Sequence, residues 1–239
     1  MKISYKITQN VVNRSQNDFA IFDYWVKRTA HIFFELTNVE LNGTLTVDIS
    51  DEHPYPQCFR TAQPTINLAL DDLDHWAQVV YQFAHELCHL IAGYPNIKSP
   101  RDGWFEEIIC ECASRKLLLA LNATKKAEAI FSKSFGSYCL NLFASSDKKF
   151  FQLTELTNEH SELLSEVRSN HEDRPVFRYV ADSIFPIINA NDCFWQSIYY
   201  LRVFDDQYSF SDNLAFWHDA SPEISRSQIN QIIKLVQTP

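Results

Sequence analysis

Two histidines lie four residues apart in an otherwise mostly apolar stretch, VVYQFAHELCHLIAG, with a glutamate directly after the first. In an α-helix, residues i and i+4 lie one turn apart on the same face, so His85 and His89 can reach one ion. Imidazole nitrogens bind zinc at about 2.0–2.1 Å. Glu86 is rotated by about 100° from His85, which would place it beside the metal. The pattern H-E-x-x-H therefore predicts a zinc site in which Glu86, as general base, takes a proton from a water on the metal.

A third ligand would distinguish a zinc site from a pair of buried core histidines, which is the structural alternative for this pattern. The metzincin pattern requires a glycine and a histidine where this chain has Ala92 and Pro95, so that class is excluded. A glutamate from a following helix is the other common solution. The segment WFEEIICECAS (104–114) offers Glu106 and Glu107.

We prefer Glu107 as the third ligand because Glu111 follows it by one turn on the same helical face. There Glu111 is expected to accept the remaining N–H of a metal-bound histidine, and so to orient the ring. The alternative interpretation of the two carboxylates is a solvated acidic stripe on an amphipathic helix. The expected zinc ligands are thus His85, His89 and Glu107.

The sequences HELCH and WFEEIIC resemble the active-site helices of the gluzincin metallopeptidases, which include thermolysin-like enzymes and M1-type aminopeptidases. Trp104 to Glu107 is similar to the W-x-x-E of the M1 type, at a spacing from His89 that is one residue shorter. The pair Glu107 and Glu111 resembles the E-x-x-x-D of thermolysin-like enzymes. The resemblance covers about residues 65–115. It implies a zinc-dependent peptidase with a zincin-like fold, and a peptide or protein as substrate.

The same resemblance implies two further features. The strand TINLAL (65–70) is expected at the edge of the cleft, where an extended peptide can pair with it. A downstream tyrosine or histidine is expected to stabilise the oxyanion. The spacing does not choose among the five candidates, which are His171, Tyr179, Tyr199, Tyr200 and His218.

Two other functions fit the same residues. One is a regulatory peptidase of the anti-repressor type, which acts on a single protein partner. The other is a helical interaction protein whose zinc is structural or absent. We interpret the three cysteines in and after the motif, Cys88, Cys110 and Cys112, as small buried residues, because i and i+2 on a helix face apart.

The elements that must position these residues change in character along the chain. Strand patterns crowd into the first 70 residues, at about 2–7, 42–50 and 65–70, with a proline-rich loop at 51–64. Helical patterns cover 17–37, 73–92, 103–121, 125–143, 155–169, 174–189, 192–204 and 222–236. We predict an α+β fold with a small mixed N-terminal sheet, a catalytic core at 1–122 and a helical subdomain at 123–239.

Composition restricts the partners and the compartment. The net charge is −9 and the pI about 5.3, which disfavours nucleic acid. No apolar run approaches the roughly 18 residues of a membrane span, and the N-terminus lacks the pattern of a signal peptide. The six cysteines are scattered, as is typical of reduced thiols. We therefore expect a cytoplasmic protein with no membrane contact.

Overall fold

A computed structural model of the chain describes residues 2–8, 11, 16–39, 41–93, 101–123, 135, 137–138, 141, 151–170 and 173–238. Within this part of the chain, the strands lie in the first 70 residues and the later elements are helical. The predicted α+β class, with a small mixed N-terminal sheet and a mostly helical second half, is confirmed at this level.

The N-terminal strands form one mixed sheet. They are β1 (Lys2–Ile7), β2 (Thr44–Ser50), β3 (Gln57–Phe59) and β4 (Thr65–Ala69). The order is β1-β2-β4-β3, with β2 parallel to both β1 and β4, and β3 antiparallel to β4. TINLAL was expected at the edge of the cleft with a free side for an extended peptide, but β4 is an inner strand of the sheet. The short β3, which lies inside the segment predicted as a loop, pairs with the outer side of β4.

The first helix, α1 (Gln16–Thr37), connects two parallel neighbours, β1 and β2, as parallel pairing requires. Its apolar residues recur at helical spacing and are buried, among them Phe22, Trp25 and Phe33. The hydroxyl of Tyr5 on β1 donates to the Asp23 carboxylate on α1 at 2.6 Å. Burial, together with this hydrogen bond, raises the pKa of Tyr5. The contact fixes the helix to the strand.

The helices that carry the predicted site are α2 (Trp76–Ala92) and α3 (Trp104–Ala123). The start of α2 lies slightly later than predicted, because the Asp72 carboxylate accepts the backbone N–H of Asp74 at 3.1 Å and forms a turn. The helix ends at Gly93, as predicted. The φ of Gly93 is +72°, the left-handed conformation in which glycine commonly ends a helix.

Contacts divide the chain into two compact units, which comprise residues 1–90 with 113–144 and residues 91–112 with 145–239. The divisions fall inside α2 and α3, although each is one continuous helix. The first unit contains the sheet, α1, most of α2 and the C-terminal part of α3. Part of its core is a cluster formed by Trp25, Ala77, Val80, Leu118, Leu121 and Phe135. The predicted boundary at residue 122 stays a prediction.

The second unit is helical in its described part. After the start of α3 it contains 3₁₀ helices at Leu153–Thr157 and Asp192–Val203, and the helices α4 (Glu162–Ser169), α5 (Arg174–Asn189), α6 (Phe210–Ala220) and α7 (Glu223–Gln237). The predicted helices at 174–189 and 222–236 correspond to α5 and α7. The predicted helix at 155–169 is divided into the first 3₁₀ helix and α4. The helix α6 was not predicted. The predicted helix at 125–143 lies largely outside the described residues.

The described helices also bear on whether the chain crosses a membrane. Within the described residues, none combines the length and the apolarity that crossing a lipid bilayer requires.

Candidate metal centre

His85 and His89 lie one turn apart on α2, with their ring centroids 4.9 Å apart and their planes inclined by 67°. Tyr81 stands one turn earlier on the same row, with its ring centroid 6.4 Å from that of His85. Both histidines are half-buried, so their rings keep some access to solvent. The helix thus presents two neighbouring imidazoles on one face, as the spacing predicts.

The motif helix is fixed to the sheet by a side-chain amide. Gln82 donates from Nε2 to the carbonyl oxygen of Ala69 and accepts the Ala69 N–H at Oε1, both at 3.0 Å. Ala69 is the last residue of β4, so one amide satisfies both polar groups of a strand-end peptide. This contact fixes the rotation and the height of α2 against the strand that precedes it.

A second contact fixes the C-terminal turn of α2. Arg60, directly after β3, donates from Nε to the carbonyl oxygen of His89 at 2.7 Å. Carbonyls in the last turn of a helix lack a complete set of intrahelical partners, and a cation there also complements the helix dipole. The backbone of the second predicted ligand is therefore held from the sheet.

Glu86, the predicted general base, is buried, with 5% of its surface exposed. It follows Gln82 by one turn, so its side chain leaves α2 on the face that meets β4, next to the row of the histidines. A carboxylate is rarely buried in a core without a purpose or a partner. The place of Glu86 beside a metal and its role as a base both stay predictions.

Helix α3 packs against α2 in an antiparallel register, which contacts within the first unit define. Ala77 on α2 shares a cluster with Leu118 on α3, and one turn along, the Ser114 hydroxyl donates to the carbonyl oxygen of Tyr81 at 2.9 Å. Cys110 stands one further turn along α3 from Ser114, and His85 one further turn along α2 from Tyr81. The register therefore follows from helix geometry.

The side chains agree with this register. Candidate ligand atoms of His85, His89 and Cys110 all lie within 4.8 Å of one another. Cys110 has no exposed surface. In a tetrahedral zinc site with Zn–N of about 2.0–2.1 Å and Zn–S of about 2.3 Å, donor atoms are about 3.3–3.6 Å apart. The donor types, two imidazoles and a thiol, are ones that zinc binds.

The carboxylates expected from the sequence lie on the same helix as Cys110. Glu106 and Glu111 are buried and Glu107 is half-buried. None of the three belongs to the group with the two histidines that the described residues form. The ligand role of Glu107 and the orienting role of Glu111 therefore stay predictions, as does the alternative Glu106.

The cysteines of the two helices are buried, as the sequence predicted for Cys88, Cys110 and Cys112. The position of Cys110 beside the histidines was not predicted. The sequence does show that Cys110 shares a helical face with Ser114 and Glu106. This spacing can be interpreted only when the register of the two helices is known.

The N-terminus of α3 is held by a buried carboxylate. Asp102, which is 1% exposed, accepts Arg168 Nε at 2.7 Å and Asn213 Nδ2 at 3.1 Å. Arg168 also donates to both oxygens of Glu159, at 2.6 and 3.0 Å. These hydrogen bonds with Arg168 lower the pKa of Glu159 to about 2. The network fixes the direction in which α3 leaves its preceding turn.

The structure favours none of the five candidates for stabilising the oxyanion. His171 lies outside the described residues. Tyr199 stacks under the Arg202 guanidinium at 3.5 Å, and the His218 ring contacts Asp219 at 2.8 Å. Tyr179 packs its ring 4.9 Å from Phe151, and Tyr200 packs edge-on against Tyr199. These contacts are local to the second unit and do not single out any of the five.

Comparison of the chain with protein-family models, with curated proteins and with solved structures gives no significant match.

Proposed function

We propose that this protein is a zinc-dependent hydrolase of peptide bonds, with a zincin-like arrangement of its active-site helices. The observation that carries the proposal is the pair of adjacent imidazoles on one turn of α2, with the buried carboxylate of Glu86 directly between them in sequence. Two ligands and a neighbouring base on one helical turn are what H-E-x-x-H supplies to metallopeptidases.

The residues divide the work between binding and proton transfer. His85 and His89 would hold the ion, and a group from α3 would complete the set. Zinc bound there would polarise the scissile carbonyl as a Lewis acid and would lower the pKa of a water toward about 7. Glu86 accepts a proton at its carboxylate as the water attacks, and returns that proton to the leaving amine.

Two contacts fix the backbone of the helix that carries these residues. Gln82 ties α2 to Ala69, and Arg60 ties the carbonyl of His89 to the residue after β3. Ligands that sit on fixed backbone lose little conformational entropy when they bind an ion. The cytoplasm remains the compartment that we propose, because the described cysteines are not joined by disulfides.

The test combines metal analysis with one substitution. Protein purified without chelator is expected to contain about one zinc per chain and to cleave a peptide library, with both properties lost after EDTA treatment. Glu86→Gln is expected to keep the zinc and to lower hydrolysis by about 10²–10⁴-fold. Glu52→Gln, at an exposed position, is the matched control and should retain full activity.

Two results would contradict the proposal. One is a metal-free protein that takes up no zinc on reconstitution, and the other is full activity in Glu86→Gln. Cleavage restricted to one protein partner, and lost in Glu86→Gln, would identify the regulatory type of peptidase.

A structural zinc is the second candidate, and the full burial of Cys110 favours it. Thiolate ligands are common in structural zinc sites, which contribute directly to the free energy of folding. In that case EDTA would lower the melting temperature sharply, and Glu86→Gln would change neither stability nor any activity. At a catalytic site, by contrast, Glu86→Gln would keep the zinc and lower the hydrolysis of peptides.

A further inference from the structure

We infer that the second unit carries a docking surface for an arginine-containing segment of another protein. The surface, which we call the α6 face, lies on α6 and on the turn that precedes this helix. Its exposed residues are Tyr208, Phe216, Asp205, Asp206, Asp212 and Asp219. All of them belong to one compact unit, and none takes part in the proposed zinc site.

Two large rings contact each other at this surface. The rings of Tyr208 and Phe216 have their centroids 4.8 Å apart and their planes inclined by 78°, which is an edge-to-face pair. Tyr208 is 44% exposed and Phe216 is 41% exposed. A single exposed aromatic residue is ordinary, whereas contiguous apolar area with a polar rim is a mark of interaction surfaces. The pair therefore offers apolar area that a partner can cover.

Helix α6 places charge beside this pair. Asp212, Phe216 and Asp219 are spaced i, i+4 and i+7, so they lie on one face of the helix within an arc of about 60°. The opposite face is buried and consists of Phe210, Asn213, Leu214 and Trp217. Because the core holds that side of α6, the ring of Phe216 and the two carboxylates stay in contact with water.

The charge of the surrounding segment has one sign. Residues 203–225 contain five acidic side chains and no lysine or arginine. The carboxylates of Asp205, Asp206 and Asp212 accept local hydrogen bonds from neutral backbone N–H and hydroxyl groups, and Asp219 contacts the neighbouring His218 ring. Among the described residues, no lysine or arginine forms an ion pair with any of these four carboxylates. The α6 face can therefore receive a cation from outside.

Two arginines of the same unit lie close to this face, but both bind backbone carbonyl groups. The Arg101 guanidinium donates to the Tyr208 carbonyl oxygen at 2.6 Å. The Arg226 guanidinium donates to the carbonyl oxygens of Asp219 and Ser221, at 2.8 and 3.0 Å. These contacts fix the ends of the face and leave its carboxylate side chains without a guanidinium partner.

Arginine is the side chain that matches both the rings and the carboxylates. Its planar guanidinium stacks on aromatic rings and donates in a fork to carboxylates, whereas the ammonium group of lysine acts as a point charge. The unit already contains one such stack, in which Arg202 lies 3.5 Å from the centroid of the Tyr199 ring. The partner is therefore a protein segment with arginine and apolar side chains. The acidic charge disfavours nucleic acid.

The α6 face is small, so the interaction is expected to be weak. Two rings and four carboxylates are far fewer than the roughly 20–30 residues that each side of a stable interface contributes. Exposed charges act mainly on the rate of association and are screened by salt. We expect a dissociation constant of about 10–100 μM at low salt, which rises as salt is added.

A labelled peptide tests the face on the full-length protein. The probe is a short synthetic peptide of repeated arginine, serine and leucine that carries an uncharged dye, and its fluorescence anisotropy is followed as protein is added. Saturable binding in the expected range supports the inference. The same peptide with lysine in place of arginine should bind about 3–10-fold more weakly, because it loses the stacking and the fork.

Substitutions of exposed side chains locate the binding. The double variant Tyr208→Ser with Phe216→Ser should weaken it by about tenfold or more, and Asp219→Asn by about threefold. The matched controls lie in the first unit. They are Tyr55→Ser, at a tyrosine that is 49% exposed, and Asp51→Asn, and both should bind as the wild type does. A melting curve of each variant checks that it is folded.

A measurement on the wild type covers the case in which the double variant does not fold. Addition of the arginine peptide to isotope-labelled protein should shift the backbone amide resonances of residues 205–219 and leave those of the sheet unchanged. Shifts confined to the sheet would contradict the inference.

Three further results would overturn it. They are no binding of the arginine peptide, equal binding by the wild type and the folded double variant, and equal binding of the arginine and lysine peptides. A dimer that Phe216→Ser dissociates, in the absence of peptide binding, would assign the face to a second copy of this chain instead. Each of these measurements is made without reference to zinc, so their failure leaves the proposed hydrolase untouched.

Discussion

The guanidinium of Arg60 donates to the backbone carbonyl oxygen of His89 over 2.7 Å. The contact links the residue that follows the edge strand β3 to the second histidine of the motif helix. It lies at the end of α2, where carbonyl groups need partners from outside the helix. The backbone position of a candidate ligand therefore depends on a strand that is only three residues long.

Replacement of Arg60 by methionine is expected to lower the free energy of unfolding of the metal-free protein by about 1–3 kcal/mol, because a charge-assisted hydrogen bond is lost. Arg60→Lys keeps the charge but not the planar Nε donor, and should fall between methionine and wild type. Urea unfolding followed by circular dichroism measures both. Equal stability of the methionine variant and the wild type would show that the contact does not hold the end of α2.

Gln82→Met is expected to destabilise the fold by about 2–4 kcal/mol, because it leaves the N–H and the carbonyl of Ala69 without their amide partner. The two side chains are similar in size, so packing changes little. Gln231→Met, at an exposed position on α7, is the control and should lie within about 0.5 kcal/mol of wild type. Thermal and urea unfolding give the comparison, and similar effects of the two substitutions would refute the anchoring role of Gln82.

Glu159→Gln is expected to destabilise the protein near neutral pH and to have a smaller effect in acid. The pKa of Glu159 falls from 4.5 to about 2 in the folded protein, so its carboxylate contributes stability above the unfolded pKa. That contribution is lost as the pH falls from about 4.5 through 2. At neutral pH the expected loss is about 1–2 kcal/mol, since the carboxylate is partly exposed and screened.

The control for this pH dependence is Glu35→Gln, at an exposed position on α1. Urea unfolding at neutral pH and at about pH 3 should show the wild type and Glu159→Gln converging in acid, with no such trend for Glu35→Gln. A constant difference at both pH values would contradict the assigned pairing of Glu159 with Arg168.

Gly93→Ala is expected to destabilise the end of α2 by about 1–2 kcal/mol, because φ is +72° and a side chain there is strained. An added Cβ would also meet the Ile91 carbonyl oxygen at 3.4 Å. Gly93→Asn carries the same Cβ but tolerates the left-handed conformation better, so it should cost less. If alanine and asparagine cost the same, contact rather than backbone conformation decides the position.

The sequence predicted the elements with strong local periodicity. The helices α1, α2, α3, α5 and α7 lie close to their predicted ranges because apolar residues recur at helical spacing and local signals such as Gly93 end them. It missed β3, which has only three residues and depends on pairing with β4 for its existence. It also missed α6, and it predicted one helix over 155–169, where the structure has a 3₁₀ helix at Leu153–Thr157 and then α4.

For the candidate site, the sequence by itself determined that two imidazoles and a carboxylate occupy one turn of one helix, since i and i+4 spacing is a local property. Only the tertiary structure decided how α2 and α3 pack against each other. The register of two packed helices depends on contacts far apart in the chain, such as that between Ser114 and Tyr81. A one-residue change in that register rotates the facing side chain by about 100°, so the sequence alone could not say which residues of α3 face the motif helix.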